Sequence, residues 1–164
     1  MVVDPVAVAA GPILGVISDT HGLLRPEALE RLFGVCYIVH AGDVGGPDRR
    51  EGDILARLAA IAPVTAVRGN VDRDGPPAAL PHDVVVEVAG RRIYVVHDIA
   101  DAAPPEGVDL VVTGHSHKVA VVEKSGAVWL NPGSAGPRRF KLPVTLATVP
   151  LDATPLVPRI HHLV

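Results

Sequence analysis

Imidazole, carboxylate and amide side chains recur at five places in the sequence, each directly after a short apolar run. These places are Asp19-Thr20-His21, His40-Ala41-Gly42-Asp43, Gly69-Asn70, His97 and Gly114-His115-Ser116-His117. Mixed nitrogen and oxygen donors suit Zn, Fe, Mn, Co or Ni. The candidate ligands in these motifs are Asp19, His21, Asp43, Asn70, His97, His115 and His117. Seven ligands are more than one transition-metal ion takes from a protein. With one bridging carboxylate the seven would make eight bonds, four to each of two ions, which predicts a two-metal site.

Each of these motifs is weak by itself. Asp19 could cap a helix beside an incidental surface histidine, and Gly-Asp and Gly-Asn are ordinary turn dipeptides. His97 alone could be a hydrogen-bonded histidine of the core or its rim. The combination is more specific, because five separate strand ends would each have to supply a ligand by chance. The pattern therefore favours a metal site over unrelated local features.

The elements that must position these residues can be read from the apolar periodicity. One helical pattern begins at Pro26, and a second covers Asp53–Ile61. The spacers Ala89-Gly90-Arg91, Ser125-Gly126 and Asp152-Ala153 predict three hairpins. The predicted strands are Ile13–Ser18, Val35–Val39, Val64–Val67, Asp83–Val88, Arg92–Val96, Asp109–Val112, Val119–Glu123, Ala127–Asn131, Val144–Val149 and Leu156–His161.

This order of elements predicts an α/β fold. The β-α-β-α-β start indicates a mostly parallel sheet covered by helices, and the later strands indicate a second sheet packed face to face with the first. In open α/β sheets the carboxyl ends of the strands form the site crevice, so the five motifs are expected to converge there. Glycines beside the ligands would let backbone and side chains approach closely.

Composition limits the classes of protein that need be considered. The 164 residues are 48% hydrophobic with a formal net charge of −3, which predicts one folded domain over residues 13–164 after a flexible segment 1–12. This charge gives no reason to expect nucleic-acid binding, and no run approaches the ~18 apolar residues that cross a bilayer. Without a basic leader the chain is expected in the cytoplasm. Cys36, the single cysteine, is expected to be a small buried residue.

The motifs, in this order, resemble the calcineurin-like metallophosphoesterase superfamily, whose signature reads D-x-H, G-D, G-N, H and G-H-x-H. The blocks SDTHG, HAGD, GNVD, GHSH and NPGSAGPRR are similar to those of its short bacterial and archaeal phosphodiesterase branch. The resemblance extends from residue 13 to about residue 163. It implies a four-layer αββα sandwich of two mixed sheets flanked by helices.

The resemblance also implies a ligand set and a reaction. One ion would bind Asp19, His21, Asp43 and His117, and the other would bind Asp43, Asn70, His97 and His115, so that Asp43 bridges and the two histidines of GHSH serve different ions. A hydroxide shared by the two ions would attack phosphorus in a small phosphoester, and in this branch more often a diester than a monoester. Mn²⁺ is the expected metal, with Ni²⁺, Zn²⁺, Fe²⁺ or Co²⁺ as alternatives.

Two positions depart from the superfamily pattern. Many members read G-N-H-[DE], with a histidine that contacts phosphate or protonates the leaving group, where this chain has Val71. The short branch commonly reads H-G-H where this chain has His97-Asp98-Ile99. The residue that protonates the leaving group is therefore open, with Asp72, Asp98 and Arg138 as candidates. Asp72 joins Asp43, Asn70 and His97 in the predicted catalytic set.

The remaining predictions concern support and alternatives. His40 is expected to orient the Asp43 loop, Asn131-Pro132-Gly133-Ser134 is either a plain turn or a loop lining the site, and Trp129 is expected in the core. The C-terminal hairpin could serve a homodimer. The competing function is a metal-binding scaffold that acts through protein contacts, as the retromer subunit of this fold does. Retention of all seven ligands favours the enzyme.

Overall fold

Two mixed β-sheets form the centre of the computed structural model, which describes residues 11–45 and 53–164. The strands are β1 (Ile13–Ile17), β2 (Tyr37–His40), β3 (Val64–Ala66), β4 (Asp83–Val88), β5 (Arg91–Val96), β6 (Leu110–Val112), β7 (Ala120–Lys124), β8 (Ala127–Asn131), β9 (Thr145–Pro150) and β10 (Arg159–His162). The first sheet has the order β10-β9-β1-β2-β3 and the second β4-β5-β6-β8-β7. Both strand orders place three parallel strands next to one another.

The parallel strands end in line, which brings the loops that follow them together. In the first sheet Ile17 of β1 is in register with His40 of β2, which in turn pairs with Ala66 of β3. In the second sheet Val95 of β5 pairs with Val112 of β6. The loops that leave β1, β2, β3, β5 and β6 therefore start from matching strand ends, as the sequence predicted.

Apolar side chains from the facing sides of the two sheets form the central core. Leu14 and Val16 of β1 and Ile93 and Val95 of β5 belong to one buried cluster, and all four have no exposed surface. Their spacing of two residues is that of a strand with one face toward the core. Burial of alternate residues therefore fixes which face of each sheet is internal.

The first sheet is covered on its outer side by two α-helices, α1 (Pro26–Leu32) and α2 (Ile54–Ala59). Ala28 and Leu32 of α1 and Leu58 of α2 share a buried cluster with Ile17 and Ile38 of the sheet. The second sheet carries instead a 3₁₀ turn, Ile99–Asp101, and the loop after it, where Ala102 and Val108 pack on the sheet's outer residues. The predicted class, two mixed sheets flanked by helical segments, is confirmed, with a thinner outer layer on the second sheet.

Three sequence predictions need adjustment. Cys36 is exposed and not buried, because it precedes β2, where its N–H donates to the Ile13 carbonyl while its side chain faces solvent. Strand β10 begins three residues later than predicted, at Arg159 instead of Leu156, since Pro158 has no N–H to donate to a strand partner. Trp129 is half-buried on the outer face of the second sheet, with the Lys124 ammonium 4.9 Å from its ring centre.

The start of the chain is described only in part. Residues 1–10 of the predicted flexible segment lie outside the described residues. Pro12, at its end, accepts a hydrogen bond from the Leu151 N–H at 2.9 Å, so it is tied to the end of β9. In the described part of the chain, neither α-helix has the length or hydrophobicity to cross a membrane.

The central core generates a first prediction. Leu14→Ala should lower the free energy of unfolding by about 2–5 kcal/mol, because the fully buried side chain leaves a cavity between two sheets. Val122→Ala is the matched control, since this strand side chain is 53% exposed and should change stability by less than about 0.5 kcal/mol. Urea unfolding followed by circular dichroism measures both, and equal losses would contradict this assignment of the core.

Candidate metal centre

Backbone hydrogen bonds join the five motif loops into one structure. The Asp19 N–H donates to the Gly42 carbonyl at 3.0 Å, which ties the first loop to the second. In the second sheet the Gly114 N–H donates to the His97 carbonyl at 2.9 Å. The two sheets are joined by the His115 N–H, which donates to Asp19 Oδ2 at 3.1 Å. The loop after β3 is joined by the Val71 N–H, which donates to Asp43 Oδ1 at 2.9 Å, so all five predicted strand ends contribute to one site.

One group of candidate ligands consists of Asp19, His21 and His117. His117 Nε2 lies 3.3 Å from both Asp19 Oδ1 and His21 Nε2, and His21 Nε2 lies 3.6 Å from Asp19 Oδ1. Asp19 Oδ1 is buried and has no hydrogen-bond donor. A buried carboxylate oxygen normally finds a partner, so this orphaned atom amid imidazole nitrogens fits a cation site.

The second group consists of Asp43, His97 and His115, with Asn70 between the histidines. His97 Nε2 lies 3.2 Å from Asp43 Oδ2 and 3.0 Å from Asn70 Oδ1. His115 reaches the same amide oxygen with Nδ1, at 3.2 Å. The donor set of two imidazoles, one carboxylate and one amide oxygen is chemically suited to Mn, Fe, Co, Ni or Zn.

Asp43 lies between the two groups. Its Oδ2 is 3.2 Å from His97 Nε2 in one group and 3.8 Å from His21 Nε2 in the other. A ligand shared by two ions must occupy this position, so the geometry is compatible with the predicted bridging role. His115 and His117 fall in different groups, as expected of ligands that serve different ions.

The side chains around Asp19 and Asp43 favour the ionised form of both carboxylates. Burial alone would raise the pKa of Asp19, but the imidazoles of His117 and His21 and the Ser18 hydroxyl hold it well below its usual range. Burial would also raise the pKa of Asp43, and the hydrogen bond with His97 lowers it instead. Two anionic carboxylates at one buried site require positive charge nearby, which a divalent cation can supply.

The hydrogen-bond partner of His97 Nδ1 shows which ring nitrogen carries the proton. Nδ1 lies 2.7 Å from the Ala41 carbonyl oxygen, which can only accept, so Nδ1 carries the hydrogen and Nε2 faces Asp43 and Asn70. Although burial would lower it, the neighbouring carboxylates of Asp43 and Asp19 raise the pKa of His97 to about 8. In the neutral ring, Nε2 is free to act as a ligand.

Five of the seven predicted ligands have left-handed backbone conformations. The φ angles are +55° at Asp19, +47° at His21, +55° at Asp43, +70° at His115 and +63° at His117. Non-glycine residues rarely adopt this region, and such conformations concentrate at functional sites where the surrounding structure holds them. The turns aim these side chains inward, toward the junction between the two sheets.

The motif glycines are required by close contacts. A Cβ on Gly69 would lie 2.1 Å from Asp43 Oδ1 and 2.3 Å from the Asp43 nitrogen. A Cβ on Gly114 would lie 2.2 Å from Ser18 Oγ and 2.8 Å from Asp19 Oδ2. Both glycines are therefore needed to let a ligand carboxylate occupy its position.

His40 supports the loop that carries Asp43. It is fully buried, its Nδ1 accepts from the Gly42 N–H at 3.1 Å, and its Nε2 lies 3.0 Å from Thr20 Oγ1. Thr20 Oγ1 donates in turn to the Val44 carbonyl at 2.8 Å, so the His40 ring must donate to Thr20. Burial lowers the pKa of His40 to about 4, which keeps the ring neutral. This is the orienting position expected from the sequence.

The Asn131–Ser134 loop holds two of the ligand loops in place. The Asn131 amide donates to the Gly114 carbonyl at 2.9 Å and to Ser116 Oγ at 3.1 Å. Ser134 Oγ donates to the Asp19 carbonyl at 3.0 Å. Of the two interpretations of this segment, the structure favours a loop that supports the site, for which the sequence signals were the Asn-Pro-Gly turn and the resemblance of the block NPGSAGPRR.

The three candidate proton donors occupy different environments. Asp72 is buried, and its two oxygens accept from the backbone N–H groups of Val44, Gly45 and Gly69. Asp98 Oδ2 lies 3.9 Å from His115 Nε2, at the rim of the site. Arg138 is exposed near the Val164 carbonyl, 3.5 Å away. These contacts give Asp72 a structural role, in which it fastens the Gly69 turn to the Asp43 loop, instead of the proton-donor role considered from the sequence.

Comparison with known proteins agrees with this geometry. Residues 13–154 match the calcineurin-like phosphoesterase superfamily domain, and the matched range includes every motif from Asp19 to His117. A probable metallophosphoesterase of Methanothermobacter thermautotrophicus is 34% identical over an alignment length of 137 residues, and the match covers 74% of this chain and 76% of that relative.

Solved structures share the architecture. A predicted phosphoesterase from Streptococcus pneumoniae has a TM-score of 0.71 and 24% identity, covering 92% of this chain and 89% of that one. Vps29 of Chaetomium thermophilum also has a TM-score of 0.71, with 18% identity over 94% of this chain and 88% of its own. At these identities the likeness concerns the fold.

The glycine contacts lead to a second prediction. Gly69→Ala and Gly114→Ala should each lower the affinity for divalent metal by at least about tenfold, because the new methyl group displaces Asp43 or Asp19. Gly126→Ala is the matched control, since this turn glycine has a φ of +78° and no neighbour within 4 Å of its Cβ position. It should lose stability by about 1 kcal/mol and keep its metal affinity. Calorimetric titration with Mn²⁺ measures the affinity, and wild-type affinity in Gly69→Ala would contradict the steric argument.

The hydrogen bonds of Asp72 lead to a third prediction. Asp72→Asn places an amide donor against backbone N–H groups, so it should lower the free energy of unfolding by about 1–3 kcal/mol. Asp98→Asn, at the rim, should leave stability within about 0.5 kcal/mol of wild type. Chemical denaturation of the metal-free proteins separates the two, and an unchanged stability of Asp72→Asn would contradict the structural role.

Proposed function

The chain belongs to the calcineurin-like phosphoesterase superfamily, and from that premise we propose that it hydrolyses phosphodiesters at a centre of two divalent metal ions. The observation that carries this proposal is the grouping of the seven predicted ligands. They form two clusters, each with at least three donor side chains, and Asp43 lies at the point where the clusters meet.

Each cluster would supply the ligands of one ion. Asp19, His21 and His117 would hold the first, Asn70, His97 and His115 would hold the second, and Asp43 would serve both. When bound, the two ions supply Lewis acidity, which acidifies water and neutralises charge on the phosphoryl oxygens. Mn²⁺ suits these hard oxygen and imidazole donors, and other divalent first-row ions fit the same set.

The chain's own residues orient the ligands and limit access to them. The Ala41 carbonyl holds the His97 ring so that Nε2 faces the centre, and the Ser18 hydroxyl and the His115 N–H hold Asp19 Oδ2 at 2.6 Å and 3.1 Å. Asp19 is completely buried, whereas the His115 side chain is 46% exposed. Substrate therefore approaches from the side of the second cluster.

The preference for diesters rests on the resemblance to the short phosphodiesterase branch. A separate feature of the site bears on the leaving group. Val71 and Ile99 stand where related sequences place histidines. The side chains of Val71 and Ile99 are 38% and 61% exposed and carry no proton to donate. A substrate with a leaving group of low pKa, such as an aryl phosphodiester, needs such a donor least.

A second candidate function is a metal-loaded protein scaffold. The structural likeness to Vps29 supports it, since that protein shares the two-sheet architecture at a TM-score of 0.71. The orphaned Asp19 Oδ1 and the complete ligand set argue against a scaffold that binds no metal, whereas a metal-loaded scaffold would use the same donors. Turnover of a simple phosphodiester separates the two functions.

The proposed function leads to a fourth prediction. The protein loaded with Mn²⁺ or Ni²⁺ should hydrolyse bis-p-nitrophenyl phosphate, and chelation of the metal should abolish the activity. Asp43→Asn should lose metal and lower kcat/KM by more than about 100-fold together, because one carboxylate serves both clusters. Release of nitrophenolate and metal analysis by mass spectrometry measure the two effects.

Asp152→Asn is the matched control for this substitution. Asp152 is exposed at the turn between β9 and β10, so the variant should keep metal and activity. An Asp43→Asn variant that retains turnover would refute the bridging role. A fully metal-loaded wild type that leaves the diester intact would refute the enzymatic function and favour the scaffold.

A further inference from the structure

Two cavities open on opposite sides of the segment that follows β3. Both are lined by Asn70, Asp72 and Arg73. The first has a volume of about 520 Å³ and reaches His97 and His115 of the second ligand cluster. The other has a volume of about 640 Å³ and extends from Asn70 toward helix α2. A substrate held at the metal centre therefore has space on two sides, and the two spaces differ in chemistry.

The first cavity is polar. Its wall includes the charged or titratable side chains of Arg68, His82, Asp98 and Asp101 in addition to the histidine ligands. His82 Nε2 lies 3.7 Å from Asp101 Oδ2, and Arg68 Nη1 donates to the Ala78 carbonyl at 3.4 Å. Such a wall suits a hydroxylated or charged group with hydrogen-bonding atoms.

The second cavity is largely apolar, and we call it the Val71 cavity. Its wall contains the aliphatic residues Val44, Ile54, Leu55, Val71, Pro76 and Pro77. The wall also contains Asn70 and four charged residues, Asp53, Asp72, Arg73 and Asp74. Asp72 accepts from three backbone N–H groups, the Asp53 carboxylate caps α2 by accepting from the Ala56 N–H at 3.0 Å, and Arg73 Nε donates to the Asn70 carbonyl at 3.2 Å. The volume lies in the range of small-molecule sites, and the aliphatic part of the wall favours an apolar group of a ligand.

Val71 places this cavity directly beside the metal centre. Its N–H donates to Asp43 Oδ1 at 2.9 Å, and Asn70, the preceding residue, is a predicted ligand. The Val71 side chain is 38% exposed and lines the cavity. The Val71 cavity therefore adjoins the candidate metal centre at Asn70 and Val71, two adjacent residues of one turn.

We infer that the Val71 cavity binds an apolar, preferably aromatic, ester group of the substrate. The substrate class is then an unsymmetrical phosphodiester, with an aromatic or alkyl group over Val71 and a polar group on the side of Arg68. This inference rests on the proposed phosphodiesterase function and adds the chemistry of the group that distinguishes one substrate from another. Val71 acts here as a specificity residue, and it takes no part in proton transfer.

The test compares two diesters with the same leaving group, methyl 4-nitrophenyl phosphate and phenyl 4-nitrophenyl phosphate. The Mn²⁺-loaded wild type should favour the phenyl ester in kcat/KM by at least about tenfold, after correction for the uncatalysed rates, because an apolar pocket gains about this much from an aromatic ring. Isothermal titration with phenylphosphonate and methylphosphonate gives a readout independent of turnover. The phenyl compound should bind at least about fivefold more tightly.

Val71→Thr tests the residue itself, because threonine has the shape of valine and replaces one methyl group with a hydroxyl. The preference for phenyl should fall at least about threefold in both measurements, while Val71→Ile should retain it. Arg68→Gln is the control on the opposite side and should leave the phenyl-to-methyl ratio unchanged. Metal content and circular dichroism confirm that each variant is folded and loaded.

The outcomes separate this inference from the proposed function. Hydrolysis of both diesters with no preference for phenyl, or a preference that Val71→Thr leaves unchanged, would overturn the inference alone. If the phenyl-to-methyl ratio fell in Arg68→Gln and stayed at the wild-type value in Val71→Thr, the aromatic group would be assigned to the polar cavity. This result would also overturn the inference. A loaded wild type that hydrolyses neither ester would overturn the proposed function, and the inference with it.

Discussion

Two ionised carboxylates buried at the junction of two β-sheets set the main constraint on this structure. Asp19 is fully buried and Asp43 nearly so, and the removal of such charges from water is costly unless they are paired or bind a metal. Four imidazoles and one amide surround them, and one Asp19 oxygen still has no donor. The protein compensates part of the charge with its own side chains and leaves one buried carboxylate oxygen in a position that suits a cation.

The turns and close contacts around the two carboxylates hold the ligands in position. Left-handed turns at five ligands and close contacts at Gly69 and Gly114 fix the directions of the side chains. The left-handed turns are locally unfavourable, and the two glycine positions leave no space for a side chain. They persist because hydrogen bonds of His40, Asp72 and Asn131 connect ligand loops to neighbouring parts of the chain, and the His97 ring bonds to the Ala41 carbonyl.

The two sheets contribute differently to function. The first sheet, covered by α1 and α2, supplies Asp19, His21, Asp43 and Asn70, of which the two carboxylates are almost completely buried and Asn70 is exposed. The second sheet has a thin outer layer and supplies His97 and His117, which are buried, and His115, which is open to solvent. The carboxylates are therefore shielded from bulk water, whereas one ligand from each sheet, Asn70 and His115, is accessible from solvent.

The sequence by itself determined the element order, the pairing of strands into hairpins and the positions of the candidate ligands. These features depend on local periodicity and on the rule that strand ends converge, which hold without knowledge of the chain path. Only the tertiary structure decided which ring nitrogen of His97 faces the centre, that Asp72 binds backbone groups 27 and 28 residues away, and that Cys36 faces solvent. Contacts between residues far apart in the chain fix those properties, and no local pattern encodes them. The same holds for the cavity beside Val71, whose wall is built by residues from separate loops and a helix.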